Sequence, residues 1–259
     1  MPTMTMSDGC ELYYRFDGDE GQPVLVFSNP HGFTHQLWDP QVAALAGRFR
    51  VLRYDNRGHG GSAVPAGPYT IERIAQDARE LIEGLGLQRV HFCGLSIGGM
   101  AGLWLAAHAP HVVGRVVLAN TSAYLNPADH LRRRIAAIEQ GGMAAVVDDI
   151  IERSLSRTFR DSHPAVTDTF RDMVKAVPPA GYIAGGHAVL GMDLRACLSD
   201  IRVPALVIAG AHDTSTPVAM GAAIAEARGA RLEVLESAHL SNIEQAAEFN
   251  RLLEAFFDC

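Results

Sequence analysis

The chain has 259 residues, 48% of them hydrophobic, and a formal net charge of −7, which fits a single domain with a sizeable core. The acidic balance leaves no basic face to neutralise phosphates, so a nucleic-acid partner is excluded. No apolar run reaches the roughly 18 residues of a membrane span, and the opening MPTMTMSDG has neither the basic nor the apolar region of a secretory signal.

Leu12 to Phe16 alternates weakly after the turn Ser7-Asp8-Gly9 and reads as an edge hairpin. Pro23 to Asn29 is a continuous apolar run of strand length, the mark of a strand covered on both faces. The loop Pro30-His31-Gly32-Phe33 leads into a helix ending near Leu45. Arg50 to Tyr54 is a second buried strand, followed by Asp55-Asn56-Arg57-Gly58-His59-Gly60-Gly61-Ser62. Thr70 caps a helix to Leu85, with Glu72 in its first turn. The stretch Arg89 to Ala101 is a strand, a tight turn and a helix, and Arg115 to Asn120 is a further strand. This alternation predicts a mostly parallel sheet with helices on both faces.

From Tyr124 to about Ser199 helical periodicity replaces the alternation, broken at Pro178-Pro179. Strand character returns in PALVIAGAHD from Pro204, then come a helix from Pro217, a strand Arg231 to Leu235 and a closing helix from Asn242 to Phe257. The expected organisation is a core of residues 1–122 and 199–259 with a helical lid, 123–198, inserted between two strands. Cys10, Cys93, Cys197 and Cys259 lack C-x-x-C spacing and read as reduced thiols of a cytoplasmic protein, with Cys93 packing as a small apolar residue.

The chemistry centres on Gly94-Leu95-Ser96-Ile97-Gly98. Set between strand and helix, this G-x-S-x-G is expected to force Ser96 to positive φ and lift its hydroxyl out of the sheet. A Cβ at Gly94 or Gly98 would collide with neighbouring backbone. The following helix aims free N–H groups at the same point. A dinucleotide cradle is the rival reading, but it wants G-x-G-x-x-G in the first βα unit and a carboxylate about 20 residues on; Val116 to Ser122 carries none.

A serine nucleophile needs a base and the base an orienting carboxylate, here in the chain order Ser, Asp, His. Asp213 follows the strand Ala205 to Ala209, and His239 follows the strand Arg231 to Leu235. The predicted triad is therefore Ser96, Asp213 and His239. Asp213 could also be an ordinary loop carboxylate, but no acid follows the strand ending at Asn120. His59, His91, His108, His111, His130, His163 and His187 read as surface or packing residues. A metal site at His31/His35 or His212-Asp213 lacks a third ligand at suitable spacing. The oxyanion donors are expected to be the amides of Ile97 and Phe33, Gly32 letting the backbone approach.

The HGF loop, DNRGHGGS, GLSIGG, the late Asp213 and HLSN together resemble the α/β-hydrolase superfamily over essentially the full length. RYDNRGHGGS, GPYTIE, FCGLSIGG, ANTSA and HLSNIE resemble the 3-oxoadipate enol-lactonase branch, which opens an unsaturated lactone in aromatic-acid catabolism. The resemblance implies the α/β-hydrolase fold, a small ester or lactone substrate, an acyl-enzyme intermediate, no cofactor or metal, and no nucleic-acid or membrane partner. His31-Gly32-Phe33 is similar to the loop of general esterases and perhydrolases, so a carboxylesterase, perhydrolase or small-amide hydrolase stays open. Proteins of this fold that act as small-molecule receptors or cofactor-free oxygenases form a second class, since fold does not fix function.

Substrates of that branch carry a free carboxylate that an arginine could clamp. In Leu131-Arg132-Arg133-Arg134-Ile135, helical spacing puts Arg134 beside the apolar stripe Leu131, Ile135, Ile138, while Arg132 and Arg133 point elsewhere. Arg134 is expected to face the pocket or to belong to a solvated basic patch. Trp38, Tyr124 and Leu125 are the other expected substrate contacts.

Overall fold

The continuous apolar runs become the inner strands of one sheet. The computed structural model describes residues 2–126 and 128–258; Cys259, one of the four expected thiols, lies outside them. In chain order the strands are β1 (Thr3–Thr5), β2 (Glu11–Asp17), β3 (Val24–Ser28), β4 (Arg50–Tyr54), β5 (Val90–Leu95), β6 (Val113–Ala119), β7 (Ala205–Gly210) and β8 (Arg231–Leu235). Across the sheet the order is β1-β2-β4-β3-β5-β6-β7-β8. The first two strands pair antiparallel, as does β2 with β4, and every later pairing is parallel. Strand order reverses around β3, which lies between β4 and β5, and crevices at such a reversal open beyond the carboxyl ends of the strands.

Local chemistry explains the surrounding helices. Residues 35–45, expected as one helix, form a 3₁₀ turn His35–Trp38 followed by α1 (Asp39–Leu45), with Pro40 in its first turn. Thr70 caps α2 (Ile71–Gly84) by accepting the Arg73 amide at 3.1 Å. Next comes α3 (Ile97–His108), buried from Ile97 through Ala106. It is apolar on all sides because it is covered on all sides.

Between β6 and β7 lie α4 (Asp129–Gly141), α5 (Val147–Ser154), α6 (Arg157–Ser162), α7 (Pro164–Lys175) and α8 (Pro179–Leu190). Pro178-Pro179 both ends one helix and starts another, since proline fits the first helical position but not the interior. The two ends of this insertion are pinned together: the Leu194 amide donates to the Ala123 carbonyl at 2.7 Å, beside a Tyr124–Asp193 bridge. After β7 come α9 (Val218–Arg228), α10 (Ser241–Glu244) and α11 (Ala246–Phe257). The closing helix expected from Asn242 is thus broken at Gln245, whose φ of −123° and ψ of 43° leave the helical region.

The DNRGHGGS loop is fastened by charge. Arg57 makes a two-pronged ion pair with Asp77 of α2, at 2.5 and 2.6 Å, and reaches Asp8 at 2.8 Å. Arg57 and Asp77 are both buried, and the fork geometry and the second carboxylate offset part of the hydration they lose.

Candidate active site

Ser96 sits in the turn from β5 to α3 with φ 57° and ψ −116°, a strained region for a residue with a Cβ. The turn closes only because its neighbours lack side chains. A Cβ on Gly94 would fall inside contact distance of the Gly98 carbonyl, and one on Gly98 would strike the Ser28 carbonyl at the end of β3. The first amide of α3, that of Ile97, has no intrahelical acceptor and lies at the positive end of the helix dipole.

His239 and Asp213 come from the loops after β8 and β7. Their side chains meet at 2.7 Å, Nδ1 to Oδ2, and both are buried. Asp213 Oδ2 also receives the Asn120 amide at 3.0 Å and the Thr216 hydroxyl at 2.8 Å. Its Oδ1 accepts the backbone amides of Ser215 and Thr216 at 2.8 and 3.0 Å. Burial alone raises the carboxyl pKa, but His239, the Thr216 amide and Asn120 outweigh it, and the net shift is downward. An ionised carboxylate only accepts, so Nδ1 of His239 carries the proton and the neutral ring keeps its lone pair on Nε2.

Asn120, just past β6, is not a carboxylate but supports one. It ends β6 in the left-handed region at φ 43°, a conformation Asn adopts more readily than most residues. Its amide nitrogen donates to Asp213 and to the Ala238 carbonyl at 3.3 Å, and its oxygen accepts the Ser241 hydroxyl. One side chain thus ties together the ends of β6, β7 and β8. Behind the His239 loop, Glu244 accepts the Ala238 amide at 2.9 Å and the Ser156 amide at 3.0 Å.

Ser96 and His239 line one and the same cavity. The sheet side contributes His31, Phe33, Met100 and Thr216; the inserted helices contribute Leu131, Arg134, Ile150, Tyr182 and Val189. Leu125 lines it, as expected, and so does Arg134. Arg134 pairs with Asp149 at 2.5 Å with its side chain only 11% exposed. Burial disfavours its charge, but Tyr182 and Asp149 more than offset this and hold its pKa above the ordinary arginine value.

Two expected contacts lie elsewhere. Trp38 is fully buried in the core, stacked on Phe27 with its indole N–H bonded to Asn29. Its large apolar ring was better placed between α1 and the sheet than at the cavity. Tyr124 is 36% exposed, with the Arg195 guanidinium 4.0 Å over its ring. The Tyr124–Asp193 bridge turns it outward, where cation–π contact holds it.

The loop after β3 is a turn closed by the Phe33 amide and the Pro30 carbonyl at a long 3.3 Å, with Gly32 at φ 90° as such a turn requires. The Gly32 amide donates to Nε2 of His59 at 3.0 Å, and His59 Nδ1 faces the Arg57 carbonyl at 3.2 Å. His59 is therefore a neutral Nδ1–H tautomer built into the support of this loop, a more specific role than packing. Burial lowers its pKa. His31 stacks on Tyr182 with ring centroids 3.9 Å apart and donates Nε2–H to the Tyr182 carbonyl at 2.8 Å. Burial, then the neighbouring His59, drives its pKa well down. His35 is engaged by Asp55 and His212 by Glu236.

Comparison with known proteins agrees with this geometry. Residues 23–246 match the model of the alpha/beta hydrolase fold family. The chain is 35% identical to 3-oxoadipate enol-lactonase 2 of Acinetobacter baylyi over 98% of its own length and 95% of that protein's. It superposes on the crystal structure of the enol-lactonase from Burkholderia xenovorans LB400 with a TM-score of 0.97, at 39% identity and full coverage of both chains. A hydrolase from Pseudomonas aeruginosa PA01 gives 0.96 at 43% identity, covering 100% of this chain and 98% of that one. A serine on a strained strand-to-helix turn, a buried Asp–His pair whose imidazole lines the same cavity and these similarities lead to one conclusion: the chain belongs to the α/β-hydrolase fold family and is a hydrolase.

Proposed function

We propose that the chain is a serine hydrolase that cleaves a small carboxylic ester or lactone through an acyl-enzyme, with 3-oxoadipate enol-lactone as substrate. The observation that carries the reading is the His239–Asp213 pair at 2.7 Å opening onto the cavity that Ser96 enters. The enol-lactonase names of the similar proteins from Acinetobacter baylyi and Burkholderia xenovorans support the substrate. Such an enzyme would act in aromatic-acid catabolism, and the buried free thiols Cys10, Cys93 and Cys197 suit a cytoplasmic setting.

In this mechanism Ser96 Oγ attacks the lactone carbonyl while His239 Nε2 takes its proton. Asp213 holds the imidazole tautomer and stabilises its cation. The Ile97 amide receives the oxyanion, joined by the Phe33 amide as its long turn bond yields. Collapse of the tetrahedral intermediate opens the ring; the enol oxygen leaves with the proton from His239. Water, deprotonated by the same imidazole, attacks the acyl-enzyme, and Ser96 recovers its proton as the acid departs.

The test is a turnover panel of muconate-derived enol-lactone, neutral lactones, p-nitrophenyl acetate and small amides. Wild type is expected to prefer the enol-lactone, and Ser96→Ala to lose at least about 10³-fold in kcat. Turnover that survives Ser96→Ala would remove the serine mechanism. Preference for neutral esters or amides would move the substrate to a general esterase or amidase. A single slow turnover would indicate a receptor, and oxygen uptake an oxygenase.

A further inference from the structure

Successive amides of the turn after β3 each meet a different acceptor. Gly32 donates to Nε2 of His59 at 3.0 Å, Phe33 to the Pro30 carbonyl at 3.3 Å, Thr34 to the thioether sulfur of Met173 at 3.4 Å and His35 to Oδ1 of Asp55 at 2.7 Å. His59 and Asp55 both come from the loop that follows β4. Met173 comes from the inserted helices, in the last turn of α7. The outer two amides are thus tied to the core by an imidazole and a carboxylate. The inner two are held weakly, Phe33 by a long bond and Thr34 by sulfur, a poor acceptor.

The helix α7 touches this turn twice. Phe170 meets the Phe33 ring edge-on, with centroids 6.1 Å apart. Phe170 and Met173 are three residues apart and share one face of α7. Phe170 is buried and Met173 half-buried. The helix is itself fastened, because Val174 is fully buried and Arg171 pairs with Asp148 of α5. Met173 does not line the cavity that holds Ser96 and His239. Its contact is with the backbone of the turn.

We infer that Met173 is a positioning residue for the oxyanion-binding turn, acting through the Thr34 amide, so that α7 contributes to rate as well as walling the cavity. This rests on the reading of Ser96 as nucleophile and of Phe33 as an oxyanion donor. When Ser96 adds to the carbonyl, negative charge gathers on the carbonyl oxygen, and the Phe33 N–H must leave Pro30 to meet it. Gly32 is held on one side of that amide by His59. Met173 holds Thr34 on the other side, so the motion is confined to one peptide unit and the donor arrives in register. An interaction that serves only the charged intermediate, with no contact to substrate, belongs in kcat and not in KM.

Two measurements test this. The first is steady-state hydrolysis of p-nitrophenyl acetate by wild type, Met173→Leu, Met173→Gln and Ser96→Ala. Met173→Leu conserves volume and removes the acceptor. Its kcat is expected to fall about tenfold, with KM within about twofold of wild type. Met173→Gln supplies a carbonyl at similar reach and is expected to recover about threefold of that loss. The second is hydrogen–deuterium exchange over residues 30–37 in Ser96→Ala, with and without Met173→Leu, which needs no turnover. Exchange is expected to quicken about tenfold when the sulfur is removed. Unchanged exchange overturns the role of Met173. So does a kcat that Met173→Leu leaves alone while Ser96→Ala abolishes turnover, or a loss that appears in KM and is not recovered by Gln. Turnover that persists in Ser96→Ala is a separate failure: it removes the serine reading and with it the catalytic use of the turn.

Discussion

The Gly32 amide donates to Nε2 of His59 at 3.0 Å, so an imidazole from the DNRGHGGS loop supports the turn that carries Phe33. If Phe33 supplies an oxyanion donor, His59 is a positioning residue for catalysis. His59→Ala is expected to lower kcat about ten- to a hundredfold, less than or near the loss of a whole donor, with KM changing little. His59→Gln keeps an acceptor and should recover part of the rate. Steady-state kinetics on both variants decide it: equal loss in kcat and KM, or no recovery with Gln, would leave His59 a packing residue.

Asn120 separates conformation from hydrogen bonding. Asn120→Ala removes the bonds to Asp213 and Ala238 and places Cβ-bearing alanine at φ 43°. The expected cost is about 2–4 kcal/mol of stability from a buried unsatisfied group plus backbone strain. Asn120→Gly relieves the strain alone. Urea unfolding should show Gly more stable than Ala by roughly 1 kcal/mol, while both lose a similar share of kcat. Equal stability of the two would mean the left-handed backbone is not a constraint there.

The serine turn tolerates no added methyl. At Gly94 and Gly98 the obstructing atoms are backbone, which cannot step aside, whereas Gly47 has open space around its would-be Cβ and no positive φ. Gly94→Ala and Gly98→Ala are expected to lose about 3 kcal/mol or more, or to fail to fold. Gly47→Ala should fall within about 0.5 kcal/mol of wild type. Thermal melting of the three variants provides the comparison.

Acid should destabilise the fold through its buried histidines. The pKa values of His31, His59, His91 and His130 are all lowered in the folded state, burial leading in each case. Below the unfolded value of about 6.5 the unfolded chain binds protons that the folded chain refuses, so stability falls as pH drops. The slope is up to about 1.4 kcal/mol per pH unit for each such group. Asp213 adds loss only below about 3.8, as pH falls through its depressed folded value. Denaturation midpoints between pH 7 and 5 should therefore decline, and less steeply in His59→Gln. A flat profile would mean these rings take up protons without penalty.

What the sequence determined by itself was the frame: alternating strands and helices, the break in that alternation after β6, and the turn around Ser96. These signals act over a few residues, through apolar runs, a capping threonine and glycines whose missing Cβ decides a bend. The pairing of Asp213 with His239 was also legible, because both follow strands whose carboxyl ends share one edge of the sheet. Only the tertiary structure decided the rest. Trp38 and Tyr124 look like pocket residues until packing sends one into the core and the other against Arg195. His59 acquires its role from Gly32 and Asn120 from Asp213 and Ser241. Those partners lie far along the chain, and a side chain's environment depends on which distant neighbour folding delivers to it.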